Sequence, residues 1–261
     1  MKRFSNKNKK NKVKVVTKEE AFASLRSLYD ELPETTGCIE NINKEGGCGG
    51  WCCSLQSPQV LQVEFLYAWS YVMKHFSDEE VVDLIEKSFR TYLNNDFSKG
   101  CIFWNSETKL CTIHECRPFN CYLYGITPKE EFDERYKRLK EEHKGEFGAV
   151  IRPQCDLVSV ADGEMPEVKE TDKWWNELKR VEQSLGIKES DIHDGSGGSY
   201  RTYHDYILMR FLPDEILQQM TLLRLHGQIE EKEQFVCNAM KYFKDKVGEL
   251  IGGKNGRAEK S

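Results

Sequence analysis

Cysteines crowd this chain in two places, and both crowds sit on loops. Between Cys101 and Cys121 the sequence reads CIFWNSETKLCTIHECRPFNC, with nine, four and four residues between successive cysteines. Upstream, Cys38 is followed at a distance by GGCGGWCC, which puts Cys48, Cys52 and the adjacent Cys53 in a glycine-rich turn. Thiolates a few residues apart on tight loops can converge on one metal centre, and Gly46, Gly47, Gly49 and Gly50 let the backbone close around it. The rival is a disulfide framework. That needs an oxidising compartment and usually a small secreted domain, whereas this chain has 261 residues and opens without an apolar signal segment. Metal ligation in the cytoplasm is the expectation.

The candidate ligands are Cys38, Cys48, Cys52, Cys53, Cys101, Cys111, Cys116, Cys121 and, following Pro153 and Gln154, Cys155. Cys52 and Cys53 diverge on an extended backbone, so they fit more easily on two metals of a cluster, or on neighbouring ions, than on one tetrahedral ion. There are sulfurs enough for two four-sulfur sites, and counting does not assign the pairs. His114, two residues before Cys116, is either a nitrogen ligand or a group standing behind the ligands. Arg117 is either a surface residue in a turn fixed by Pro118 or a partner for the sulfur charge, since four thiolates around a divalent ion leave about −2. Cys237, next to Val236 in a helical pattern, reads as an ordinary buried small residue.

These residues resemble the YkgJ-type cysteine-cluster family, described as a zinc- or iron-chelating domain. The resemblance rests on Cys38 and Cys48, the pair Cys52 and Cys53 flanked by GGW, Cys101 with Ile102 and Phe103, Cys111 with Ile113 and His114, then Arg117-Pro118 and Cys121. It covers about residues 38 to 125. The interval from Cys38 to Cys48 is longer than the family's, and Tyr122 stands where the family often has arginine. The resemblance implies an iron-sulfur cluster or iron, with zinc as runner-up. A more distant similarity to flagellin lysine N-methylases, which contain a related cluster, implies an S-adenosylmethionine-dependent alternative. A third possibility is a zinc-stapled protein-interaction module.

Composition sets the frame for this cluster. Hydrophobics at 39% and aromatics at 11% exclude a wholly disordered chain, and no apolar run approaches the ~20 residues of a membrane span. The first fourteen residues hold seven Lys or Arg and no acid, and the rest has 43 acids against 31 bases. Such a body is no general nucleic-acid clamp, so nucleic acid could be met only through the tail. A protein or peptide partner remains open. No Ser-His-Asp order, paired-carboxylate spacing or HExxH helix is recognisable, so no catalytic residue is assigned and enzymatic activity stays an open question.

The expected architecture is mostly α, with irregular cysteine-rich metal-binding loops packed on helices and a helical C-terminal part. Residues 1–16 form a basic tail, 17–160 the cysteine-cluster domain, 171–251 the helical region and 252–261 a second tail. Thr17 and Ser77 are helix caps, the latter opening a capping box. Ser57-Pro58 reads as the start of a helix that is apolar on nearly all sides, whose positive end would lower the thiol pKa of Cys52 and Cys53. The segment from Cys101 resembles a turn or short hairpin. GGCGGW and DGSGGS (194–199) lack the context of phosphate-binding loops and are turns.

Overall fold

The structure is a computed structural model and describes residues 14–36, 50–55, 57–94, 100–142, 155, 158–161, 163–187 and 201–250. Both expected tails lie largely outside these residues; Cys38, Cys48 and the DGSGGS loop lie wholly outside them.

Helices begin where the capping chemistry is best. In α1 (Lys18–Asp30) the Thr17 hydroxyl accepts from the Glu20 amide while Glu20 accepts from the Thr17 amide, a reciprocal capping box. Ser77 and Glu80 do the same for α4 (Asp78–Leu93). A short strand β1 (Thr35–Thr36) follows α1, and Cys52 and Cys53 sit on the one-and-a-half-turn helix α2 (Trp51–Leu55).

The Ser-Pro signal does not start a helix. Gln59–Val60 form β2, Leu61 is the extended cap, and the long apolar helix α3 runs over Gln62–His75. The cause is distant: β2 pairs antiparallel with β4 (Arg201–Thr202), Gln59 opposite Thr202, which holds this stretch extended. β1 likewise pairs with β3 (Ser159–Val160).

Beyond the cysteine loop come α5 (Phe119–Leu123), α6 (Lys129–Glu142), α7 (Val168–Ser184), α8 (Tyr203–Phe211), α9 (Asp214–His226) and α10 (Ile229–Leu250). The fold is mostly α, as expected. Among the described residues no helix is long and apolar enough to cross a membrane.

α3 serves two cores, which explains its all-round apolarity. Phe65, Ala68, Trp69 and Val72 join α4, α8 and α10 in one, where the Phe65 ring stacks on Tyr206 at 4.9 Å and Phe89 meets Phe243 at 5.8 Å. Leu61 and Val63 join α1, α5 and α7 in the other. The stretch 161–170 that the sequence offers as a boundary runs into the first turn of α7, and packing crosses it: α7 lies on α1, and α8 and α10 lie on α4.

Two buried carboxylates close the N-terminal end of α3. Glu182, fully buried, accepts from the Gln62 and Val63 amides at 3.0 and 2.7 Å. Glu64 accepts from the Leu61 amide at 2.8 Å, the Phe119 amide at 2.6 Å and the Tyr29 hydroxyl at 2.9 Å. Three amides at this helix start are thereby satisfied, those of Gln62 and Val63 from α7 and that of Leu61 by α3's own Glu64.

Burial pushes Glu182 up to about 7 from 4.5; its backbone hydrogen bonds oppose that rise and the Glu64 charge adds to it. A carboxyl whose folded-state pKa is raised favours folding in its protonated form, so its contribution is complete below 4.5 and is lost as pH rises through about 7. Glu182→Gln should remove that part of the slope, on the order of 3 kcal/mol between pH 4.5 and 8, in urea denaturation followed as a function of pH. A slope identical to wild type would refute this role.

Candidate metal centre

Two cysteine-bearing segments are brought together by backbone contacts too close for any side chain. The Cys101 amide donates to the Cys53 carbonyl at 2.6 Å. Gly100 has φ +70, and a Cβ there would stand 2.6 Å from the backbone of Cys53 and Ser54; Gly50, also at φ +70, would strike Trp104 and the Lys109 carbonyl. The two glycines therefore allow the Cys52–Cys53 turn and the Cys101 loop to touch.

The Cys101 loop is built as its composition suggests. Asn105 Oδ1 accepts from the Glu107 and Thr108 amides at 2.9 and 3.0 Å, turning the chain so that Trp104 pairs with Cys111 in an antiparallel bridge. Ile102, Phe103 and Ile113 plunge into the first core and anchor the loop. A short 3-10 turn, His114–Cys116, follows, and Cys121 sits on α5, whose first amide is held by Glu64.

Six described thiols thus share one neighbourhood: Cys52, Cys53, Cys101, Cys111, Cys116 and Cys121. Cys52 and Cys53 have their sulfurs 3.9 Å apart. Burial, then the Cys111 charge, pushes Cys101 and Cys116 each up to about 12. Cys121 lies well above its ordinary value from burial and from Cys101, Cys111 and Cys52, with Arg117 opposing. Cys52 is raised by its contact with Cys53 and by burial; in Cys53 the Cys52 contact lowers the value, but burial and the charges of Cys121, Cys101 and Cys111 carry it upward. Sulfurs that destabilise one another's anions in this way need a cation to ionise together. Among the described residues no three Cys, His, Asp or Glu side chains already stand at the spacing of a bound ion, so the sulfurs occupy a common neighbourhood without converging on one point.

The surroundings supply the complementary groups. Trp104 Nε1, Arg117 Nε and the Tyr203 hydroxyl are buried and, among the described residues, have no hydrogen-bond partner. All three are donors, and each belongs to a residue in the thiol neighbourhood: Trp104 is bridged to Cys111, Arg117 acts on Cys121, and Tyr203 feels the charges of Cys121, Cys101 and Cys116. Neutral thiols accept weakly, whereas thiolates or sulfides accept strongly. The donor set fits a bound metal or cluster and leaves the metal-free arrangement unsatisfied.

Residues 44–145 match the CxxCxxCC family, whose description reads "Putative zinc- or iron-chelating domain". This stretch is similar to the domain that the family describes. Over 189 residues the chain is also 24% identical to larval serum protein 1 gamma chain of Drosophila melanogaster, a match that covers 69% of this chain and 23% of that protein. The chain therefore aligns with less than a quarter of that relative's length. No solved structure matches it.

Within the matched stretch and just beyond it the expected residues are placed unevenly. Cys155 is half-buried; Val158, three residues on, packs against Gly125 just past α5, yet among the described residues no hydrogen bond ties Cys155 to the six. His114 turns Nε2 to Arg117 Nη1, and burial followed by the Arg117 charge lowers it to about 4, so it is neutral and accepts there. The Arg117 guanidinium lies over the Tyr122 ring at 4.3 Å, a reason for an aromatic at that position.

Two expectations are corrected. The N-terminal end of α3 does not acidify Cys52 and Cys53, because Glu64 and Glu182 occupy it and both thiols are shifted upward. Cys237 is exposed on α10, not buried. Sequence reading missed Gly100, Trp104, Glu64 and Tyr203; the first two had a signal, each lying beside or near Cys101 in a loop, and the last two had none that was local.

The contact between loops gives a direct test. Gly100→Ala should lower stability by more than about 2 kcal/mol in denaturant titration, because the new Cβ meets rigid backbone. Gly186→Ala, at φ +82 with nothing within 4 Å, should cost only about 1 kcal/mol. Equal losses would show that the close approach carries no weight.

Proposed function

We propose that the chelating domain holds a thiolate-ligated iron-sulfur cluster or iron in a reducing, cytoplasmic setting. Its ligands come from Cys52, Cys53, Cys101, Cys111, Cys116 and Cys121, with Cys38, Cys48 and Cys155 available to complete it. The observation that carries this reading is the set of buried donors of Trp104, Arg117 and Tyr203 around the thiols, unpartnered among the described residues. Supporting it, six described sulfurs exceed the four that one tetrahedral ion takes, and the adjacent pair Cys52 and Cys53 is best used by a centre with more than one metal. Such a centre supplies electron-transfer or Lewis-acid chemistry when bound. This chain's own residues hold the sulfurs in place, exclude water through Ile102, Phe103 and Ile113, and set one cation, Arg117, against the sulfur charge.

Zinc is the second reading. The same backbone contacts that join the Cys52–Cys53 turn to the Cys101 loop would suit an ion that staples loops. The S-adenosylmethionine-dependent reading rests on the distant resemblance alone.

Protein purified without oxygen should contain stoichiometric iron and show visible charge-transfer absorption. Colourless protein that carries only zinc, after iron and sulfide reconstitution, would refute the iron version. Substituting Ser for Cys52, Cys53, Cys101, Cys111 or Cys121 should lower bound metal at least tenfold, since a neutral hydroxyl is a poor ligand. Cys237→Ala should leave metal content and stability unchanged, because that thiol is exposed. Metal analysis of the purified variants checks both.

A further inference from the structure

Tyr203 begins α8, about eighty residues beyond the last cysteine of the central loop, and is 1% exposed. Its ring stands edge-on to Phe103 at 4.9 Å, two residues after Cys101. From the other side, Asn120, adjacent to Cys121, donates to the Gln59 carbonyl at 2.6 Å, and Gln59 pairs with Thr202, the residue before Tyr203. The phenol is therefore bracketed by the Cys101 and Cys121 arms of the site. Thr202 fixes its backbone by a capping box with Asp205.

A buried hydroxyl without a partner is destabilising, and among the described residues this one has none. Glu64 is the rival acceptor in the same region. Its carboxylate already takes the Tyr29 hydroxyl and the amides of Phe119 and Leu61. Burial and the charges of Glu64, Cys121, Cys101 and Cys116 hold the phenol proton on, so Tyr203 is available as a donor.

We infer that Tyr203 is a positioning residue of the metal centre, whose hydroxyl donates a hydrogen bond to a sulfur anion that exists only when metal is bound. The inference rests on the metal reading above. It also gives the C-terminal helices a part in the site: they bring a donor to sulfur carried by the chelating domain. In the metal-free protein the hydroxyl is an unsatisfied group, and in the loaded protein it stabilises the centre, so its removal has opposite effects on the two forms.

The experiment uses the full chain, metal-free and loaded anaerobically with Co2+, whose thiolate charge-transfer bands report the sulfur environment. Tyr203→Phe keeps the ring and its contact with Phe103. The metal-free variant should melt at or above the wild-type temperature. The loaded variant should release Co2+ to a chelator about tenfold faster, with charge-transfer absorption moved to longer wavelength. Tyr29→Phe is the comparison, since it removes a hydroxyl that does bond Glu64 and should lower the melting temperature of both forms. If Tyr203→Phe destabilises both forms alike, the hydroxyl serves Glu64 or the core and the inference fails. Unchanged release and absorption in a loaded Tyr203→Phe protein also overturn it. A wild-type chain that takes up neither Co2+, zinc nor iron overturns the metal reading itself, and the inference with it.

Discussion

One buried carboxylate holds the architecture around the cysteines. Glu64 is 3% exposed, and a charge so placed persists only where donors replace its water. It gathers the Leu61 amide from the start of α3, the Phe119 amide from the start of α5 and the Tyr29 hydroxyl from α1. Those bonds oppose the upward shift that burial imposes. Three elements are thereby tied at one point, and the α5 turn that carries Cys121 is fixed from its first residue. A site whose candidate ligands lie on short helical turns and loops requires this kind of rigid anchor, because such segments do not hold atoms to a fraction of an ångström by themselves.

The second anchor is α3 itself. A helix with one apolar stripe would hold one layer, whereas α3 turns Phe65 and Trp69 to one core and Leu61 and Val63 to another. Through the first it meets α8 and the His114–Cys116 turn, and through the second α1 and α7. The cysteine loop is embedded by Ile102, Phe103 and Ile113 in the first core, while α5 is embedded by Phe119 and Leu123 in the second. The sulfurs therefore lie at the seam of two hydrophobic layers, which is why desolvation dominates the shifts of Cys101, Cys116 and Cys121.

Local chemistry made much of this legible in the sequence. The caps at Thr17 and Ser77 and the turn in the segment after Cys101 depend on residues within a few positions of one another, and each appears in the structure. What stayed hidden depends on distance. Ser57-Pro58 imitates a helix start, but Gln59 is held extended by Thr202. The end of α3 looked open to Cys52, but Glu182 fills it from α7. Cys237 sits beside the buried Val236, and one step along a helix turns a side chain by about 100°, enough to carry it into solvent. The spacing of the central cysteines carried the expectation that they gather; the donors around them came from elsewhere in the chain.

The pairing of β2 with β4 has a consequence for the order of events during synthesis. Gln59 reaches its partner only once Thr202 has been made, and the two short strands close a loop that spans most of the chain. Contacts of such separation form late, after local helices, because closing the loop costs entropy before the contact repays it. On a growing chain the cysteines emerge long before the segment that completes their surroundings. Until then they are accessible thiols on an unfinished scaffold, and the interval between their appearance and the arrival of α8 is the period in which oxidation or a wrong metal competes most effectively for them.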